Sequence, residues 1–267
     1  MLYSPRQRFI FIKSPKTAGT SIEIAVSRHL RDADDVITPL GGNDELLRLI
    51  HGGTAPRNCF RKKDQGHRKL TRNLRIGLLA IKLSNREVDP RETILNVLEE
   101  RHSRQDLALR NHMSVDAIID CIGLGQFSSS FSCGFVREPS ARAISQFFWR
   151  NRGSDFLNYT ANDLNRPFIN FLSNKYRSLQ SQLQGVRHKG IGAKAIYRFE
   201  DLYASYIDIC DHLGVSEHER LIELPSAKVN TASGEKPRFS KEQLLTNEAR
   251  GIIQEKCAWE YENFYPQ

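Results

Sequence analysis

Apolar positions along the chain fall into short unbroken runs and helical stripes. Phe9–Ile12 is a continuous apolar run rich in β-formers with polar residues on both sides, a pattern that predicts a strand buried on both faces. Lys13–Gly19 brings a proline, a glycine and small polar residues, which is loop chemistry. From Thr20 onward Ile22, Val26 and Leu30 recur at helical spacing. Strand, tight loop and helix thus form one unit. The pattern returns twice. Cys133–Val136 predicts a second buried strand, followed by a helix from about Ser140 to Trp149, and Ala195–Phe199 predicts a third. After that strand, Tyr206, Ile207, Cys210 and Leu213 share one face of a helix over Tyr203–Leu213. Helices are also predicted over 91–101, over Met113–Ile122 and as a closing segment over Lys241–Phe264. Gly41-Gly42 and Gly52-Gly53 mark turns, and Lys228–Pro237 reads as a polar, flexible stretch. Strand and helix alternate, which predicts an α/β, three-layer α/β/α architecture with a central parallel sheet covered on both faces. The chain has 267 residues, 39% of them hydrophobic, enough for a single domain over 1–267.

Charge adds a partner class. The formal net charge is +8 and the pI ≈ 9.3, so an anionic partner is expected. Nucleic acid, an acidic glycan, a membrane surface and a phosphorylated nucleotide all satisfy that. The run Arg57–Arg75 concentrates the basic surplus, with Asp64 its one acid; it reads as a solvated face or as a steering patch for an anionic acceptor. Five cysteines, none in a CxxC pair, speak against a disulfide framework and for a reducing compartment. No apolar run approaches the roughly 18 residues of a membrane span, and Phe9–Ile12 is too short for a signal-peptide core. The expectation is a soluble, cytoplasmic protein.

The first chemical motif is the strand–loop–helix unit. Unpaired amides and the helix dipole make such a helix start a cradle for phosphate. A nucleotide triphosphatase P-loop ends in Gly-Lys-Ser/Thr. Here Gly19 is followed by Thr20 and Ser21, and the lysine, Lys16, stands three residues before the glycine. That displacement directs Lys16 toward a bridging oxygen or a transferring group, with the Thr20 and Ser21 hydroxyls near a 5′-phosphate and no magnesium role required of them. The segment Phe11–Glu23 (Phe-Ile-Lys-Ser-Pro-Lys-Thr-Ala-Gly-Thr-Ser-Ile-Glu) resembles the 5′-phosphosulfate-binding loop of sulfotransferases that use 3′-phosphoadenosine 5′-phosphosulfate (PAPS), and is most similar to the carbohydrate branch. The resemblance implies a P-loop-like fold and a donor-binding role for Lys16, Thr17, Gly19, Thr20 and Ser21.

A second motif follows the second strand. Phe135-Val-Arg137-Glu-Pro-Ser-Ala-Arg142-Ala-Ile-Ser145 places an arginine at a strand end and a serine in the following helix. The guanidinium fork suits phosphate, and a hydroxyl adds a neutral donor. The segment resembles the family's 3′-phosphate site, which implies Arg137 and Ser145 as its clamp; Arg142 reads as an ion-pair residue within its helix. Two phosphate sites on one nucleotide distinguish PAPS from ATP.

Sulfuryl transfer also needs a base for the acceptor hydroxyl, and histidine suits neutral pH. Among eight histidines, His112 lies 25 residues before Arg137, just ahead of a helix. The resemblance implies His112 as that base, with Lys16 stabilising the leaving phosphate; His51, His67 and His102 are the alternatives. Tyr197–Leu202 resembles a Tyr-Glu-Asp-Leu segment of the family, with Phe199 in the aromatic place, either as a core residue or as a face for the adenine. Lys228–Lys236 resembles the loop that closes over the nucleotide and makes Lys228, Asn230 and Lys236 candidates. Phe147, Phe148 and Trp149 read as core packing. Residues 32–105 carry no resemblance and are read as an acceptor-side insertion. The implied reaction takes PAPS as donor and releases adenosine 3′,5′-bisphosphate (PAP). It uses no metal, and its preferred acceptor is a carbohydrate or glycolipid, not nucleic acid, with a small alcohol or a protein tyrosine also open. Peripheral membrane contact stays open. Two other classes stay open: a P-loop kinase or NTPase, and a non-catalytic nucleotide- or polyanion-binding module.

Overall fold

The computed structural model describes residues 1–40, 43–59, 109–151, 159–174, 179, 181–227 and 239–266. The expected helix over 91–101, the Gly41-Gly42 turn, most of the basic run, His67, His102, Lys228, Asn230 and Lys236 lie outside them.

Along the described residues the strands are β1 (Leu2–Ser4), β2 (Phe9–Ile12), β3 (Val36–Ile37), β4 (Phe131–Val136), β5 (Arg187–His188), β6 (Ile191–Gly192) and β7 (Ala195–Arg198). The helices are α1 (Gly19–Ser27), α2 (Asn43–Ile50), α3 (Val115–Ile122), α4 (Leu124–Ser129), α5 (Pro139–Arg150), α6 (Ala161–Ser173), α7 (Leu183–Val186), α8 (Leu202–His212), α9 (Asn247–Lys256) and α10 (Ala258–Phe264). The main sheet has the order β3-β1-β2-β4-β7. The three strands expected from the apolar runs are its parallel part: Phe11 pairs with Cys133 and Cys133 with Ala195. The sheet is nevertheless mixed. β1 runs antiparallel to both β2 and β3, and this corrects the all-parallel expectation. β1 is three residues long, too short to show a period, and it reaches β2 through the turn Pro5–Arg8.

Side chains alternate faces along a strand, and the core divides accordingly. Phe9 and Phe11 point to one face and pack with Ile22, Ala25 and Val26 of α1 and with Tyr206 and Ile209 of α8. Ile10 and Ile12 point to the other and pack with Val115 and Ile118 of α3 and with Phe127 of α4. Each such side chain, fully withdrawn from water, contributes about 1.5–3 kcal/mol. Helices therefore cover both faces, compatible with three layers. A third cluster lies beyond the end of β4, where Phe147 of α5, Leu164 and Phe168 of α6 and Ile253 of α9 meet.

The turn from β4 into α5 is fixed locally. Glu138 is the N-cap, its carboxylate accepting from Ser140 N at 3.0 Å and Ala141 N at 2.6 Å, with Pro139 in the first turn. The closing segment is not the single helix that its pattern predicts. Lys241–Leu244 is a 3-10 turn, and Thr246 caps α9 by accepting from Ala249 N. Cys257, at φ −122°, then separates α9 from α10. None of the five cysteines is in a disulfide. Among the described residues no helix is long and apolar enough to cross a membrane.

Candidate functional site

β2 ends inside the sheet, and the chain leaves it through Lys13–Ala18 before α1 begins at Gly19. Ala18, the residue before the helix, is left-handed at φ 51°, and no side chain caps the first turn. No acidic side chain stands in that turn either. A helix start of this kind presents amides and partial positive charge to an anion. Gly19 is required by packing: a Cβ there would stand 2.8 Å from Lys13 Cγ.

Beneath the loop lies a buried charge cluster. Glu23, fully buried on α1, takes Lys13 Nζ at 2.5 Å, the amino group of Met1 at 2.7 Å and Arg48 Nη2 at 3.5 Å. Burial alone would raise the Glu23 carboxyl, but Lys13 foremost, with the Met1 amino group and Arg48, outweighs it and holds it at about 2. Burial pulls the Met1 amino group itself down to about 4, so that at neutral pH it serves as a neutral hydrogen-bond donor. The Met1 amino group also donates to Asn111 Oδ1 at 2.6 Å, and Asn111 Nδ2 donates to Pro39 O at 2.7 Å. These bonds anchor the segment carrying His112. The His112 backbone is left-handed at φ 63°, and its Nδ1 lies 3.1 Å from Lys13 O. A carbonyl only accepts, so Nδ1 carries the hydrogen and Nε2 is the basic nitrogen.

One cleft of ≈ 470 Å³ gathers the candidates, within the usual size range of small-molecule sites. Lys16, Gly19, Thr20, His112, Arg137, Ser145 and Phe199 all line it. The two sequence motifs touch directly, since Arg137 Nη1 donates to Lys16 O at 3.3 Å. The Arg137 guanidinium lies over the Phe199 ring at 4.2 Å. Burial lowers the pKa of Arg137, against the pull of Glu200 and Glu138. Its Nε is buried with no hydrogen-bond partner among the described residues, and so is the hydroxyl of Ser14, which also lines the cleft. Lys16, Ala18 and His112 are all non-glycine residues at positive φ, a conformation that costs of order 1 kcal/mol or more each and concentrates at functional sites.

Some expected residues are engaged elsewhere. Thr17, 1% exposed, donates to Ser14 O at 3.1 Å, and Ser21 Oγ accepts from Ala227 N at 3.4 Å. Their hydroxyls hold the loop and its neighbour. Ala227 reaches the cleft, and the candidate loop that follows it lies outside the described residues. Phe199 is a cleft residue under Arg137, not a core aromatic. Arg142 pairs across the fold with Glu260 at 3.5 Å rather than within its own helix, because it is buried on the face of α5 that meets α10.

Trp149 overturns the core reading. It is 41% exposed and lines the cleft beside Gln146 and Arg150, with Lys16 Nζ 5.7 Å from its ring centroid. Phe147 took the core position instead. The spacing held a signal for this, since Trp149 lies four residues after Ser145 and so shares its helix face. Lys13 and Ser14 are cleft residues that no motif position singled out. The chain matches no protein-family model, no curated protein sequence and no solved structure.

Proposed function

We propose that this chain is a sulfotransferase that moves the sulfuryl group of PAPS to a hydroxyl of an acceptor, a carbohydrate or glycoconjugate. The supporting observation is the convergence of three segments far apart in sequence on one cleft: the Lys16–Thr20 loop, His112, and the Arg137–Ser145 pair. The 5′ end of the donor would lie on the loop and the start of α1, in a P-loop-like cradle, and its 3′-phosphate against Arg137 and Ser145. Arg137 and Ser14, both in the cleft wall, bring a guanidinium fork and a hydroxyl suited to such an anion.

In this reading Lys16 offers its ammonium to the phosphate oxygen that becomes the leaving group, in a site where charge is stabilised without solvent reorganisation. His112 Nε2 takes the proton of the acceptor hydroxyl while the acceptor oxygen bonds to sulfur. The bond between sulfur and the bridging oxygen breaks, and PAP leaves with that electron pair. The loop, the clamp and the base do most of their work by holding the reacting atoms in line. Trp149 offers an exposed ring to the acceptor's sugar face.

A thermal-shift series with PAP, ATP and ADP tests the proposal. PAP at about 100 times its Kd should stabilise the fold by about 2.7 kcal/mol and do so well beyond either adenosine polyphosphate. Equal or larger shifts with ATP would refute the donor assignment.

A further inference from the structure

The register between β4 and β2 stops at the pair Ile12 and Gly134, where β2 gives way to the loop. Beyond it, Phe135 O and Arg137 N are the two groups that a parallel neighbour would bridge opposite Val136. The side-chain amide of Gln182 takes that place. Arg137 N donates to Gln182 Oε1 at 3.0 Å, and Gln182 Nε2 donates to Phe135 O at 3.3 Å. A side chain thus mimics a strand where the real strand has turned away.

Gln182, 3% exposed, is itself held from behind. Its backbone N donates to Glu260 Oε1 at 2.5 Å, and Ser181 Oγ donates to Glu260 Oε2 at 2.8 Å. Glu260 is fully buried on α10 and also faces Arg142 Nη2 on α5 at 3.5 Å. The next residue, Tyr261, has its hydroxyl 3.1 Å from Ser140 Oγ and donates to the N-cap Glu138 Oε1 at 3.1 Å. One short C-terminal helix therefore grips both the strand end that bears Arg137 and the helix that bears Ser145.

We infer that Gln182 and Glu260 are positioning residues for recognition of the donor's 3′-phosphate, which rests on the donor reading above. Neither needs to touch the ligand. Gln182 sets the backbone from which the Arg137 guanidinium reaches out, and Glu260 locks Gln182 against it. Phosphate recognition by a guanidinium fork is directional, and a site keeps its geometry only while the groups behind it are themselves held. The Glu260 contact to Arg142 couples Ser145 to the same anchor, so the two halves of the clamp move together.

Calorimetric titration of the full chain with PAP and with adenosine 5′-monophosphate tests this. Gln182→Met preserves side-chain volume and removes both amide bonds; Glu260→Gln removes the charge and leaves the shape. In each, affinity for PAP should fall about tenfold while affinity for the monophosphate changes by less than about twofold. A purely structural role would weaken both ligands alike. If Glu260→Gln melts too low to titrate, Gln182→Met decides the outcome, its folding checked by circular dichroism. An unchanged preference for PAP in the folded Gln182→Met chain, or equal losses for both ligands, overturns the inference and leaves the donor reading standing. An unaltered chain that does not prefer PAP over the monophosphate overturns both.

Discussion

Replacing Lys13 by Met tests whether the charge cluster beneath the loop acts as a unit. Lys13 is 5% exposed, and its ammonium lies 2.5 Å from a carboxylate, Glu23, with no exposure at all. Methionine keeps the apolar stem against which Gly19 packs, so the change isolates the charge. Removing one partner of a buried ion pair costs about 3–5 kcal/mol, because the other charge stays buried. Glu23 keeps the Met1 amino group at 2.7 Å and Arg48 at 3.5 Å, which places the expected loss near the lower end, about 3 kcal/mol. At about 2.1 cal/mol/K per residue, a chain of 267 residues has an unfolding entropy of about 0.6 kcal/mol/K. The melting temperature should therefore fall by roughly 5 °C. Glu23→Gln alone should cost a similar amount by taking from Lys13 the carboxylate at 2.5 Å. The double variant should lose no more than either single one, so that the two losses fail to add by about 3 kcal/mol. Urea titration at neutral pH and scanning calorimetry measure all four chains. Additive losses in the double variant would refute the claim that Lys13 and Glu23 compensate one another.

Three further outcomes follow from the same geometry. His112→Ala should abolish sulfate transfer from PAPS to a panel of hydroxylated sugars while calorimetric PAP affinity stays within about threefold; near-normal turnover would remove His112 as the base. Trp149→Ala should raise the KM for a sugar acceptor about tenfold at unchanged donor KM, and an effect on the donor alone would place the ring under the adenine instead. Stability should fall with acid through Glu23. Its carboxyl is held at about 2 in the folded chain against an ordinary 4.5, so the native state binds fewer protons and the contribution is complete above about 4.5 and lost as pH falls toward 2. The urea midpoint followed over that window should slope downward with acid in the unaltered chain and flatten in Glu23→Gln; parallel curves would count against the ion cluster.

The three parallel strands and the helix behind each were legible because their residues are locally consistent. Phe9–Ile12 and Cys133–Val136 are apolar on both faces, and a buried parallel strand is the one short element that asks for that. The loop Lys13–Gly19 was legible for a similar reason, since its proline, glycine and small polar residues each punctuate the chain where they stand. Local pattern had less to say about β1, three residues long, and nothing to say about its direction, which depends on a hairpin closing onto β2. It also misjudged Trp149, whose apolar character is indifferent to whether its side of α5 meets a core or a cleft.

What lay beyond any local reading was the pairing of distant groups. The contact of the Arg137 guanidinium with the Lys16 carbonyl and the tautomer of His112 set by the Lys13 carbonyl each join residues about a hundred positions apart. Gln182 standing in for a strand, and Glu260 locking it, are further from view still. Composition and period report what a residue does to its neighbours in the chain. A buried hydrogen bond or ion pair is decided by which elements the core brings face to face, and that emerges only when the sheet and its two helical layers close.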